Sequence, residues 1–163
     1  ALAKHKELYQ TRIDKNYMPS PQGRRQYAQI ARYQRPLKVI VVGEKDSFLS
    51  FRMIIVRELK LLSPHSTIIY QNYKGVGMLA GEIAKDLGLN TQVFPIMQPG
   101  DIVWTYNTKM LKEDPDFILA FHPDIKYSNG TKNMITTAFV NGYKVFVCDL
   151  KVKQEFKGDI YNM

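Results

Sequence analysis

The chain has 163 residues, of which 45% are hydrophobic; this is the length of one domain with one sizeable core, and it excludes disorder throughout. It holds no run of about 18 apolar residues and its start lacks the apolar segment of a signal peptide, so a cytoplasmic protein with no membrane partner is expected. The net charge of +8 is unevenly placed: residues 1–36 contain eight Lys or Arg against two acids, and the remainder fifteen against thirteen.

Residues 1–36 therefore read as a basic N-terminal arm. Lys4, Lys6, Arg12, Lys15, Arg24, Arg25, Arg32 and Arg35 are interleaved with Tyr9, Tyr17, Tyr27 and Tyr33 and interrupted by Pro19, Pro21 and Gly23. Lysines and arginines at this density can track nucleic-acid phosphates while tyrosines stack on bases. The same arm suits an acidic protein surface, and a solvated tail or a strap packed over the domain is the structural alternative.

From Pro36 the pattern alternates. Residues 38–42 form an apolar run closed by Gly43, and Phe48, Phe51, Ile55, Leu59 and Leu62 then share one helical face. Ser63-Pro64 breaks that helix before a second strand at 67–70. Leu79, Ala80, Ile83, Ala84 and Leu87 mark a second helix that stops at Gly88. A third strand is expected at 91–94, and then a helix capped by Asp101 and running to about Lys112. Asp114-Pro115 turns the chain into the apolar run 117–121, followed by a polar loop and a helix with Met134, Ile135, Ala138 and Phe139 that ends at Gly142. The run 143–148 is the fifth strand, and Cys148 within it is expected to be a buried, inert thiol, with no second cysteine to pair with.

Five strands separated by four helices predict an α/β domain over residues 37–150: a doubly wound, five-stranded parallel sheet, with residues 151–163 as a C-terminal tail. Ligands of such sheets bind beyond the C-terminal strand ends, where neighbouring connections leave for opposite faces. Three strand-to-helix loops fall there. The first contains Gly43, Glu44, Lys45, Asp46 and Ser47. The second, Gln71-Asn72-Tyr73-Lys74-Gly75-Val76-Gly77, has the glycines of a tight turn and a cation but matches neither a Walker loop nor G-x-G-x-x-G. The third ends at Ser128, Gly130 and Thr131, where glycine permits close approach to unpaired helical N–H groups and threonine offers a hydroxyl; an ordinary helix cap explains the same residues. Asp101, Trp104, Asn107 and Lys109 on the third helix are further lining candidates, with Trp104 as core the simpler expectation. His122 lacks a Cys or His at metal-ligand spacing and reads as a loop histidine.

The order of strand-Gly43, Lys74-Gly75 with Leu79-Ala80, Val93-Phe94-Pro95, Asn107 with Met110-Leu111, Pro115-Asp116 with Ala120-Phe121, and Ser128-x-Gly130-Thr131 with Ala138 and Gly142 resembles the YspA-like branch of the SLOG superfamily. That superfamily also holds the Lonely Guy phosphoribohydrolases and the DprA proteins. The resemblance covers residues 37–148. It implies a Rossmann-like fold of strand order 3-2-1-4-5, frequent homo-oligomers, and a nucleotide or nucleotide-derived ligand in place of any certain cofactor. The ligand contacts it implies are Gly43, Lys45, Ser47, Lys74, Gly75, Gly77, Asn107, Ser128, Gly130 and Thr131, with no metal site.

Two departures bear on activity. The family's Gly-Gly-Ala-Arg-Gly-Ala-Asp-like turn is here residues 71–77, which keep a basic residue and the central glycine but lack the first two glycines and the acid. The Lonely Guy pattern Pro-Gly-Gly-x-Gly-Thr-x-x-Glu is here Gly130-Thr131 followed by Lys132, Asn133 and Met134, so its glutamate is missing. A methionine can neither activate water nor steady positive charge on a ribose, which disfavours a phosphoribohydrolase; Glu44, Asp46 and Asp124 near the same edge are the carboxylates that could substitute, though nothing in their spacing favours it. The expectation is a non-catalytic binding domain for a nucleotide-like ligand. The alternative is a degenerate SLOG domain acting as a nucleic-acid-binding or interaction module, through its basic arm, within a larger assembly.

Overall fold

Two apolar runs, the β-branched Lys38–Gly43 (β1) and Phe117–Phe121 (β4), pair in parallel at the centre of the sheet, and every side chain of β4 is buried. Successive strand residues face opposite sides, so Val39 and Val41 enter one hydrophobic cluster while Ile40 and Val42 enter the other. The computed structural model describes residues 35–46, 48–95, 97–125 and 128–159. The arm residues Lys4, Lys6, Arg12, Lys15, Arg24, Arg25 and Arg32, and Ser47 of the first loop, lie outside them.

After β1, a 3-10 turn (Phe48–Phe51) runs into α1 (Arg52–Lys60), which buries Ile54, Ile55 and Leu59. Then come β2 (Thr67–Gln71), α2 (Val76–Asp86), β3 (Asn90–Phe94), α3 (Val103–Leu111), β4, α4 (Asn129–Val140) and β5 (Lys144–Cys148). Helices α1 and α2 pack on one face of the sheet with Phe51, Leu79, Ala80 and Ile83; α3 and α4 pack on the other with Tyr106, Met110, Met134 and Ile135. Each fully buried Leu, Ile or Phe adds about 1.5–3 kcal/mol by leaving water, so both helical layers are held mainly by these contacts. Among the described residues no helix is long and apolar enough to cross a membrane.

The strand order is β3-β2-β1-β4-β5-β6, parallel except for β6. The architecture is Rossmann-like and doubly wound, and the expected order 3-2-1-4-5 is present, but the sheet has six strands instead of five. The sixth, β6 (Lys153–Glu155), lies within residues 151–163, where a C-terminal tail is expected. It pairs antiparallel with β5, and Phe156 after it is buried against Phe139 at a ring-centroid distance of 5.1 Å. Three residues are too few to carry a periodicity. The strand is fastened by side-chain chemistry instead: Lys153 Nζ lies 2.9 Å from the buried Glu58 carboxylate of α1.

Two further expectations change. Asp101 does not cap α3; its carboxylate accepts the Gln98 N–H at 2.7 Å within a turn, and Ile102 stands at the N-cap position without a side-chain bond. Arg35, counted with the nucleic-acid contacts of the arm, forms an ion pair with Asp116, whose other carboxylate oxygen accepts the Lys38 N–H at 2.8 Å. These contacts pin the chain where it enters β1. The entry point lies at the N-terminal edge of the sheet, opposite the loops that follow the strands.

Candidate functional site

The connection after β1 leads to α1 and the connection after β4 leads to α4, on opposite faces, so a crevice opens between these two strand ends. Gly43 closes the strands together there. The next N–H, that of Glu44, donates to Phe121 O at 2.9 Å, and a Cβ on Gly43 would stand 2.1 Å from that same oxygen. The glycine is thus needed for contact between strand ends, whatever a ligand requires.

The loop after β2 locks onto the loop after β1. Glu44 O accepts the first N–H of α2, from Val76, at 2.8 Å. Gly75 makes this possible: its φ is 144°, and a Cβ there would lie 2.7 Å from Glu44 O and 2.9 Å from Lys45 Cα. Lys45 lies over the Tyr73 ring at 5.0 Å, a cation held on the aromatic face. The result is one shallow cleft lined by Gly43, Glu44, Lys45, Tyr73, Lys74, Gly75 and Gly77, among others. Lys45 and Lys74 are exposed, and among the described residues neither forms an ion pair. Its volume of about 20 Å³ holds a water or a few ligand oxygens, far less than the roughly 300 Å³ or more of a site that engulfs a small molecule.

The third loop contributes differently from expectation. Ser128 caps α4 by accepting the Thr131 N–H at 3.2 Å, and the Thr131 hydroxyl, buried, donates to Gly43 O at 3.3 Å. Thr131 therefore ties α4 to the end of β1 behind the cleft, without lining it. A Cβ on Gly130 would meet nothing within 4 Å, so the fold does not require a glycine there, and Gly130 is not among the cleft residues. Asn107 is buried between α3 and α4, donating from Nδ2 to Asn133 Oδ1 at 2.9 Å, and is also not among the cleft residues. Trp104 is 58% exposed, so it is not core. Met134 is fully buried in the core formed with α3.

The sequence names Glu44 and His122 separately, and only the fold makes them a pair across the crevice. His122, directly after β4, places Nε2 3.5 Å from the Glu44 carboxylate, with the two side chains only 12% and 17% exposed. Its Nδ1 accepts the Asp124 N–H at 3.0 Å, so the neutral ring carries its proton on Nε2, facing Glu44. Burial pushes the His122 pKa below its ordinary 6.5, outweighing the upward pull of Glu44 and Asp124. The other Glu44 oxygen accepts the Asp46 N–H at 3.0 Å. The signal for this pair lay only in strand order, since β1 and β4 are distant in sequence. Cys148 is fully buried, and burial raises its thiol to about 12, which keeps it protonated and inert.

Among the described residues no three His, Cys, Asp or Glu side chains gather as metal ligands. The sequence matches no protein-family model, and no curated protein matches it.

Proposed function

We propose that the chain is a SLOG-type domain of the YspA-like branch that binds a nucleotide or nucleotide-derived ligand at the cleft between the first two strand-to-helix loops, without turning it over. The observation that carries this is the pair of exposed cations, Lys45 and Lys74, held at the mouth of one cleft by the interlock of Glu44 with Gly75 and Val76. The cleft admits oxygens and little else, so a phosphate enters it and the rest of the ligand lies across the loops. The non-catalytic part of the reading rests on the resemblance to the Lonely Guy pattern, in which Met134, a buried thioether here, stands where that pattern has its glutamate.

The test is a thermal-shift panel of phosphate-bearing nucleotides on the full chain. A ligand at a hundred times its Kd stabilises by about 2.7 kcal/mol, a readily measured rise in Tm, and Lys45→Ala with Lys74→Ala should remove it. No shift across the panel would defeat the proposal, and release of free base from adenosine or cytidine monophosphate would defeat its non-catalytic part.

A second reading is favoured by the small size of the cleft: the domain serves as an interaction or nucleic-acid-binding module through its basic arm, in an assembly. Arg35 is engaged with Asp116, which leaves the seven Lys and Arg before it as contacts. If about half neutralise phosphates, log affinity falls with log salt at a slope of about −2 to −3. Deleting residues 1–34 should then abolish oligonucleotide binding and leave the sheet folded. Equal binding by both proteins would remove the arm as the contact.

A further inference from the structure

The outer face of α1 differs from an ordinary solvated helix face. Arg52, Met53, Arg57 and Lys60 are all exposed, and Met53, at 84%, is the most exposed large hydrophobic residue among those described. Leu49, in the 3-10 turn before the helix, is exposed as well and stands four residues ahead of Met53. The helix has one acid, Glu58, and that side chain is buried and paired with Lys153.

The turn between β5 and β6 extends this face. Lys153 of β6 meets Glu58 and is paired with Cys148 of β5, and the charges of Arg57 and Lys153 both act on the Cys148 thiol, so the middle of α1 lies over the end of this strand pair. Because α1 starts where β1 ends and returns toward the start of β2, its first turn and the turn at 149–152 belong to the same end of the sheet. Leu150 and Val152 in that turn are exposed. Four of the nine exposed large hydrophobic residues described thus collect at one corner, where chance scatter would spread them over the surface. Arg52, Arg57, Lys60 and Lys151 stand around them, all exposed and, among the described residues, in no ion pair. Asp149, the one acid of the turn, accepts the Lys151 and Val152 N–H groups at 2.7 and 2.8 Å.

We propose that this corner of α1 and the β5–β6 turn docks an acidic segment of a partner protein, whose aliphatic side chains cover Leu49, Met53, Leu150 and Val152 while its carboxylates meet the surrounding cations. Methionine suits such a surface because its flexible thioether adapts to the side chain that covers it. A second copy of the chain would oppose cation to cation, and residues 1–34 carry seven Lys or Arg against two acids, so neither supplies the missing negative charge. Aliphatic side chains offer bases no stacking surface, which disfavours a nucleic acid. A membrane surface is disfavoured because the exposed Trp104, the residue type that anchors at lipid headgroups, belongs to α3 on the opposite face of the sheet.

The test uses the full chain and a synthetic helical peptide of about four turns, with Leu at i, i+3, i+4 and i+7 and Glu between them. Binding is read by fluorescence anisotropy and located by hydrogen exchange, which should slow over residues 48–60 and 149–153. Arg52→Glu with Lys60→Glu should weaken the Glu peptide about tenfold or more and favour its Lys-for-Glu counterpart. Met53→Ser with Val152→Ser should also weaken it about tenfold or more, since two apolar side chains no longer leave water. All four positions are exposed, so both variants should keep the wild-type Tm. No binding by the Glu peptide overturns the proposal. Equal binding of a Ser-for-Leu peptide reduces the contact to charge alone, and unchanged binding by both variants assigns it to the basic residues before Pro36; either result overturns it. Phosphatidylserine vesicles or an oligonucleotide binding in place of the peptide, and lost in the same variants, would give the corner to a membrane or a nucleic acid instead.

Discussion

Gly75 and Glu44 are in backbone contact: a Cβ on Gly75 would stand 2.7 Å from the Glu44 carbonyl oxygen, which accepts the first N–H of α2. Gly75 also has φ 144° and ψ −159°, a conformation open to little but glycine. Gly75→Ala should therefore destabilise the chain by at least about 2 kcal/mol and part the two loops. Urea denaturation reads the first effect, and loss of any nucleotide-induced Tm shift reads the second. An alanine variant of unchanged stability would show that the loops do not interlock.

Lys153 and Glu58 tether the sixth strand to α1, with the Glu58 side chain 4% exposed. Removing one partner of a buried pair leaves the other charge uncompensated, so Lys153→Ala should lower stability by about 3 kcal/mol. The double variant Glu58→Leu with Lys153→Met should fall well short of that loss, because it leaves no buried charge. Equal losses in the two proteins, measured by chemical denaturation, would show that the pair is not what fastens β6.

Asp116 accepts from both Arg35 and the Lys38 N–H at the entry to β1. These groups are partly open to water, so Asp116→Ala should reduce stability by about 1 kcal/mol, and no more. The loss should shrink in high salt. A salt-independent loss would assign the effect to the Lys38 hydrogen bond alone.

His122 supplies a pH dependence whose sign follows from its lowered pKa. The unfolded chain takes up this proton near the ordinary 6.5, whereas the folded chain does so only at lower pH, so protons favour the unfolded state between the two values. The contribution is fully present above 6.5 and is lost as pH falls through the folded value. The stability difference between wild type and His122→Gln should thus be flat from neutral to alkaline pH and shift against the wild type on acidification. Denaturation midpoints at a series of pH values check it, and a difference that grows toward acid in favour of the wild type would reverse the assignment.

The elements of this fold are written in local periodicity. The alternating or continuous apolar runs of β1, β2, β4 and β5 and the helical spacing of Leu79, Ala80, Ile83 and Ala84 follow from burying one face or two, so they are readable without neighbours. The three-residue β6 escaped because it is defined by pairing with β5 and by Lys153 meeting Glu58, neither of which leaves a pattern along the chain. At the site, glycine and lysine in the first two loops identified the cleft. Tertiary structure alone decided how neighbouring residues were used. The Thr131 hydroxyl meets Gly43 O across 88 residues, and Arg35 meets Asp116 across 81, so groups that looked available for a ligand or nucleic acid are joined within the fold. By the same route Glu44 and His122, which nothing in their own loops connects, become partners, because the order β2-β1-β4 sets the ends of β1 and β4 side by side. Local sequence determines which segments bury their faces, since that depends on each segment's own spacing; which polar groups remain for a ligand depends on which strands are adjacent, and only the assembled sheet decides that.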